Sequence, residues 1–314
     1  AAIEQRDNPG LRNKPVAVSG NSERSVVSTA SYEARLFGIH SAMPVFQAKK
    51  KCEQLIIVPG SMRKYKADSK KIMEIISHFS PLMEQVSIDE AYVDIKGCER
   101  LFGSPEKIAF AIKDKIKNDL SLTCSIGIAP IKFLAKIASD MNKPDGLTHI
   151  KEHQVKNFIF TLPIKKVAGI GQSAMKKMEI LQIKTLGDVK KYPLPILTQK
   201  FGKLGQKLLA LSNGIDSSRV TTNYIRKSIS SETTLSKDIF HFETIKQVIL
   251  DRSQSVGRDL RKKNLVCENV FIKLKFSDFS QITRSKKLDS PICSSSAIFH
   301  KALSLYEKIV LKKK

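Results

Sequence analysis

Two adjacent carboxylates interrupt an otherwise apolar stretch, Val86-Ser87-Ile88-Asp89-Glu90-Ala91-Tyr92-Val93-Asp94-Ile95, and they are the residues best suited to chemistry. Neighbours in a regular strand point to opposite faces. Asp89 and Glu90 can therefore serve one site only if the chain turns there, between two short strands. Buried carboxylates this close repel, and each is costly to desolvate unless a cation sits between them. Hard oxygen ligands of this kind suit Mg2+, which takes one or two protein carboxylates and completes its shell with water and substrate phosphates. The plainer alternative is a solvated Asp-Glu turn.

A second group lies in Ser28-Thr29-Ala30-Ser31-Tyr32-Glu33-Ala34-Arg35. Ser28 or Thr29 is expected to cap a helix over 30–37, and a helix N-terminus is a ready anion site. Tyr32 and Arg35 stand three apart, hence on one helical face. A hydroxyl, a phenol and a guanidinium on one surface could clamp a triphosphate; packing plus a surface charge would use the same spacing. Lys143, in the turn Lys143-Pro144-Asp145-Gly146, offers a point charge for the same phosphates.

A third group is Val167-Ala168-Gly169-Ile170-Gly171 with Lys165, Lys166, Lys176 and Lys177 around it. Here Gly169 and Gly171 would let backbone N–H groups approach an oxygen anion closely. Such contacts hold a nucleic-acid backbone without reading its sequence. Phe201-Gly202-Lys203-Leu204-Gly205 is a weaker second copy, and a Gly helix cap is the alternative for both.

Positioning these groups requires an α+β framework. Strand-like runs at 15–19, 25–28 and 55–58 accompany the helix over 30–37. A helical stripe spans 61–82, then two strand pieces within 84–95 break at Asp89-Glu90. Helices over 105–120 and 131–141 flank an alternating strand at 122–128, which predicts a sheet with helices on one face. From 149 to 223 short helices with Gly punctuation replace strands. Strands return at 229–235 and 269–276, between helices over 242–263 and 296–311. The stretch 221–226 reads as a linker.

Charge separates the halves. The 54 Lys and Arg against 30 Asp and Glu give +24, an excess that implies a polyanionic partner. Residues 1–148 hold 22 basic and 17 acidic side chains, and residues 149–314 hold 32 and 13. No apolar run approaches the roughly 18 residues of a membrane span, and no signal peptide is visible. Five scattered cysteines with no C-x-x-C pair argue against a disulfide framework or zinc site and for a reducing cytoplasm. The first residues, Ala1 to Pro9, read as helix without an N-cap, and the last are Lys312-Lys313-Lys314. Truncation at both ends is therefore expected.

Taken in order, SIDEAYVDI (87–95), STASYEARLFGI (28–39), SIGIAPIKFLAKIASDMNKPDG (125–146) and QKFGKLGQ (199–206) resemble the Y-family, lesion-bypass DNA polymerases. The resemblance implies a right-hand architecture: palm (1–9 and 60–148), fingers (10–59), helical thumb (149–222) and little finger (227–314). It implies template-directed nucleotidyl transfer from dNTP to a primer 3′-hydroxyl with two Mg2+ ions, at low fidelity and without a proofreading domain. Asp89 and Glu90 would be catalytic metal ligands, with Glu90 nearest the primer terminus, and Thr29, Tyr32, Arg35 and Lys143 would hold the triphosphate. Gly169, Gly171, Lys176, Lys273, Lys275 and Arg284 would bind DNA, with Lys286 and Lys287 beside them. Primer–template DNA and dNTP are the implied partners of a cytoplasmic monomer. In the family a first strand carries another metal-binding Asp and a ribose-excluding aromatic; both would precede Ala1, so this chain is expected to bind DNA but to polymerise poorly or not at all. A last strand and a terminal peptide for a sliding clamp are also expected to be missing. A non-catalytic DNA-binding scaffold and a palm-type cyclase are the competing functions.

Overall fold

The structure, a computed structural model, describes residues 1–20, 22, 24–222 and 225–310. The chain forms two units, one from Ala1–Gly20 and Val26–Tyr224, the other from Asn21–Ser25 and Ile225–Lys314.

In the first unit, helix α1 (Ala2–Asp7) is tied down by Glu4, which accepts from Lys64 Nζ at 2.7 Å and Tyr65 Oη at 2.6 Å. Strand β1 (Val16–Ser19) is buried at all four positions because it is central. Strand β2 (Val27–Ala30) pairs with it antiparallel and β3 (Ile56–Pro59) parallel, so both edges of β1 find ladder partners. Helices α2 (Tyr32–Leu36) and α3 (Val45–Lys51) close a core containing Ala17, Val27, Ala34, Ile39, Ala48 and Leu55. The cap of α2 is Ser31, which corrects the expectation of Ser28 or Thr29. Its Oγ accepts from Ala34 N at 3.3 Å and Val16 N at 3.0 Å. Strand β2 continues through Ala30, with Thr29 paired to Val18 and Ser28 at the register shift between Val18 and Ser19, so the helix starts later.

Helix α4 (Met62–Ser77) leads to the antiparallel pair β4 (Met83–Gln85) and β5 (Ala91–Val93), with register Gln85↔Ala91. After the single turn α5 (Glu99–Phe102) comes α6 (Pro105–Leu120). Ser104 caps α6 through Lys107 N, Pro105 starts it, and Ile108, Ile112 and Ile116 recur every four residues on its buried stripe. That stripe shares a core with Ile75, Phe79 and Leu122. Strand β6 (Ile126–Ile128), helix α7 (Lys132–Met141) and strand β7 (Leu147–His149) then form a parallel βαβ crossover. One continuous sheet was expected across this region. Among the described residues, β4–β5 and β6–β7 are instead separate ladders of three-residue strands.

Helix α7 faces two ways. Its Leu134, Ile137 and Ala138 join the core of the following helices, α8 (Val155–Thr161), α9 (Gln172–Ile180), α10 (Leu194–Phe201) and α11 (Lys203–Ser212). Residues 216–221 return to the α7 start: Asp216 Oδ2 accepts from Phe133 N at 3.0 Å, where Ile131 provides no side-chain cap. Glu84 on β4 accepts from Lys132 Nζ at 2.5 Å and Thr221 N at 2.8 Å. Burial alone would raise the Glu84 pKa, but these donors overcome it and hold the carboxyl below its ordinary range.

The second unit packs α12 (Phe242–Lys262) and α13 (Ser295–Val310) on the antiparallel pair β8 (Cys267–Lys275) and β9 (Gln281–Ile292). Ile249, Val270, Ala302, Leu305 and Tyr306 make its core. The strand expected at 229–235 does not form; described residues 225–241 are neither strand nor helix. No strand among the described residues completes a ladder with this segment, and β-propensity alone does not make a strand. Strand β9 was not anticipated, because Arg284, Lys286, Lys287 and Pro291 obscure its pattern.

One acid-sensitive pair links β7 to the first turn of α6. His149 Nδ1 lies 2.6 Å from Glu106 Oε1 and must donate, since the carboxylate only accepts. Glu106 is held down at about 2 from 4.5, first by its own backbone N–H at the helix start and then by His149. A depressed folded-state pKa gives stability that is complete above about 4.5 and lost as pH falls toward about 2. Glu106→Gln should flatten the fall in stability across that window, as measured by urea midpoints at stepped pH.

Candidate active site

The β4–β5 hairpin turns where the sequence suggested. Val86 N and Ser87 N both donate to Glu90 O, at 3.0 and 3.3 Å, folding the link back so that Asp89 and Glu90 leave from the turn rather than from a regular strand. Both side chains are exposed, as a solvated Asp-Glu turn would also leave them. Asp89 Oδ1 accepts from Ser87 Oγ at 2.5 Å, and Glu90 Oε1 from Lys136 Nζ at 2.7 Å. Asp89 Oδ2 and Glu90 Oε2 have no protein partner among the described residues.

From Glu90 a chain of alternating charges runs along the exposed face of α7. Lys136 Nζ also meets Asp140 Oδ2 at 3.1 Å, and Asp140 Oδ1 meets Lys143 Nζ at 2.6 Å. Burial alone would lower the Lys136 pKa, but Glu90 and Asp140 reverse this and raise it. Burial would raise Asp140, and Lys143 and Lys136 hold it down instead. Sequence reasoning missed Lys136 and Asp140. The signal was present, since Lys-x-x-x-Asp at i,i+4 on a helix is a pairing distance.

Tyr32 and Arg35 do share a face: the guanidinium carbon of Arg35 lies 5.7 Å from the Tyr32 ring centroid, and Arg35 Nε donates to Ala30 O at 3.1 Å. Tyr32 is 48% exposed, and Thr29 is half-buried in β2. No hydrogen bond or ion pair joins Thr29, Tyr32 or Arg35 to Asp89, Glu90 or Lys143 among the described residues.

No group of three His, Cys, Asp or Glu side chains poised for a metal occurs among the described residues. The donor set at the hairpin is two carboxylates, each with one unpartnered oxygen. That set suits a hard divalent cation drawing its other ligands from water and phosphate, and not a closed protein cage.

The Gly169–Gly171 segment is a turn that ends in a Gly helix cap, the alternative reading of this motif. Gly169 has φ +94, a left-handed backbone that L side chains rarely adopt, and space around its Cα is open. Gly171 is the N-cap of α9, so the hairpin feeds directly into a helix N-terminus, with Lys176 one turn further on. Lys177 Nζ donates to Lys200 O at 3.1 Å, which fastens α9 to the end of α10, where Gly202 (φ +60) makes the corresponding turn into α11.

The basic strand pair divides by register. Cross-strand partners share a face, and Ile272, the partner of Arg284, alternates with Val270 and Leu274 on the core side. Arg284 and Lys286 therefore lie on the helix-bearing side although both are exposed. Lys273, Lys275 and Lys287 occupy the other face. Lys273 pairs with Glu232 at 2.6 Å, and Lys275 sits 4.6 Å over the Phe279 ring.

Comparison with known proteins places this arrangement. Family models described as the impB/mucB/samB family and its C-terminal domain match residues 1–140 and 226–314, and one described as the DNA polymerase-iota thumb domain matches 165–216. DNA polymerase IV of Shewanella frigidimarina (strain NCIMB 400) is 44% identical over 306 residues, covering 96% of this chain and 84% of that protein. DNA polymerase IV of Yersinia pestis is 43% identical over 287 residues, covering 90% and 82%. Among solved structures, a Y-family DNA polymerase chimera of Dbh and Dpo4 aligns with TM-score 0.90 at 29% identity, over 99% of this chain and 90% of that one. DinB from Sulfolobus solfataricus aligns with TM-score 0.65 at 28% identity, over 99% and 91%. Fold and relatives together define a DNA-directed DNA polymerase of right-hand, α+β multidomain build. The chain belongs to the impB/mucB/samB family, the Y-family DNA polymerases.

Among the described residues, no helix is long and apolar enough to cross a membrane.

Proposed function

We propose that this polymerase performs translesion synthesis on primer–template DNA, adding dNTP units to a primer 3′-hydroxyl with two Mg2+ ions. The observation that carries the reading is the pair Asp89 and Glu90 on one hairpin turn, each with a free carboxylate oxygen, with Glu90 linked by ion pairs through Lys136 and Asp140 to Lys143. Asp89 and Glu90 would hold the metal, which when bound supplies charge stabilisation at the transferring phosphoryl group and lowers the pKa of the attacking hydroxyl. Lys143 would meet the triphosphate as a point charge. Tyr32 and Arg35, beside β2 and Thr29, form a second polar surface for the same phosphates.

The palm would comprise 1–9 and 60–148, the fingers 10–59, the thumb 149–222 and the little finger 227–314. Separate apolar cores for residues 17–55, 75–122, 134–211 and 249–306 support four bodies. The core that α7 shares with α8–α11 would make palm and thumb continuous. Gly169, Gly171 and Lys176 would grip the DNA backbone by way of the α9 N-terminus. Lys273 and Lys275 offer the outer sheet face to phosphates, and Arg284 would reach them only from the other side of the sheet.

Template-dependent extension of a primed strand tests the reading directly: it should require a divalent cation and stop when the cation is chelated. Equal extension in excess chelator would overturn it. Binding should also be strongly ionic. With about six phosphates neutralised, affinity for primer–template should fall about 10³-fold between about 50 and 200 mM salt. A flat salt dependence would remove the role given to the basic half.

A further inference from the structure

We propose that Lys113, on α6 and far in sequence from the chemistry, is a positioning residue for the incoming nucleotide because it sets the turn that carries Lys143. This rests on the reading of Lys143 as a triphosphate ligand. The Lys113 side chain is only 12% exposed, and lysines are rarely so covered unless paired. Its ammonium has three N–H donors and meets three oxygens. Cys124 O and Asp145 O each lie at 2.8 Å, and the Asp145 carboxylate closes an ion pair.

The clamp is anchored at both ends. Lys113 follows Ile112 on the buried stripe of α6, so its stem leaves from a packed helix. Asp145 is two residues beyond Lys143 and has φ +50, a left-handed backbone that is uncommon outside glycine and that Asp adopts more readily than most residues. Gly146 continues the grip, donating to Ser125 Oγ at 3.1 Å and accepting from Ile126 N at 2.9 Å. On the other side of Lys143, Asp140 holds the ammonium itself. The Lys143 backbone is therefore fixed from α6 and β6, while its head group stays exposed and able to exchange Asp140 for phosphate.

The test is a double-mutant cycle with Lys113→Met and Lys143→Ala, reading the Kd of the incoming nucleotide on the DNA-bound protein. Lys113→Met alone should weaken nucleotide binding about tenfold, and in the Lys143→Ala background it should add nothing. Should Lys113→Met fail to fold, Asp145→Asn removes the side-chain half of the clamp and carries the same expectation at smaller size. Three results overturn the proposal alone: additive losses in the double variant, no loss in Lys113→Met, or a fall in melting temperature with nucleotide Kd unchanged. A Lys143→Ala variant that binds nucleotide normally overturns the reading of Lys143, and the proposal with it.

Discussion

Asp89→Asn should leave primer–template affinity within about threefold of the unmutated chain while single-turnover incorporation falls by about 10³-fold or more. Asparagine keeps the shape and the oxygen that accepts from Ser87 Oγ, so the hairpin has no reason to unfold. What disappears is the anionic charge that a hard cation needs. Metal-borne charge stabilisation is worth several kcal/mol, and each ~1.36 kcal/mol is tenfold in rate. Glu90→Gln should follow the same pattern, with Lys136 keeping its ion pair to Asp140. A non-catalytic scaffold makes the opposite prediction, with neither variant changing anything it does. Normal incorporation by both variants would end the enzymatic reading of the hairpin.

Local signals account for what was legible in advance. Ser104 and Pro105 define the start of α6, and its isoleucines at every fourth position define the rest. The Asp89-Glu90 break between apolar runs located the hairpin. Features set by distant partners were not legible. Strand β9 depends on β8 and on the helices behind it, and residues 229–235 find no strand to pair with among the described residues. Which face Arg284 takes depends on its pairing with Ile272, and register cannot be read from one strand alone. The same holds for the site. Asp89, Glu90 and Lys143 stood out by motif, but Asp140 and Lys136 join them only once α7 is laid against the hairpin. Lys113 joins only through a contact 32 residues away along the chain.

Gly127→Ala should destabilise the first unit by about 3 kcal/mol or more, an overpacking cost at the upper end of what single methyl insertions produce. A Cβ at Gly127 would run into Ala135 O and Ser139 N well inside van der Waals contact, and would stand 2.8 Å from the carbonyl carbon of Ala138. All three are backbone atoms of α7, so no side chain can rotate to make room. Helix α7 would have to lift from β6, and it cannot do so alone. Its buried face holds Leu134, Ile137 and Ala138 in the core of α8–α11, and its exposed face carries Lys136 and Asp140 toward Glu90 and Lys143. One methyl group should therefore act twice: the urea midpoint should fall at unchanged slope, and nucleotide incorporation should fall further than the folded fraction requires. If stability drops and the activity of the folded fraction does not, α7 positions nothing that the reaction uses. If stability holds within about 1 kcal/mol, the close approach of β6 and α7 is looser than these contacts demand.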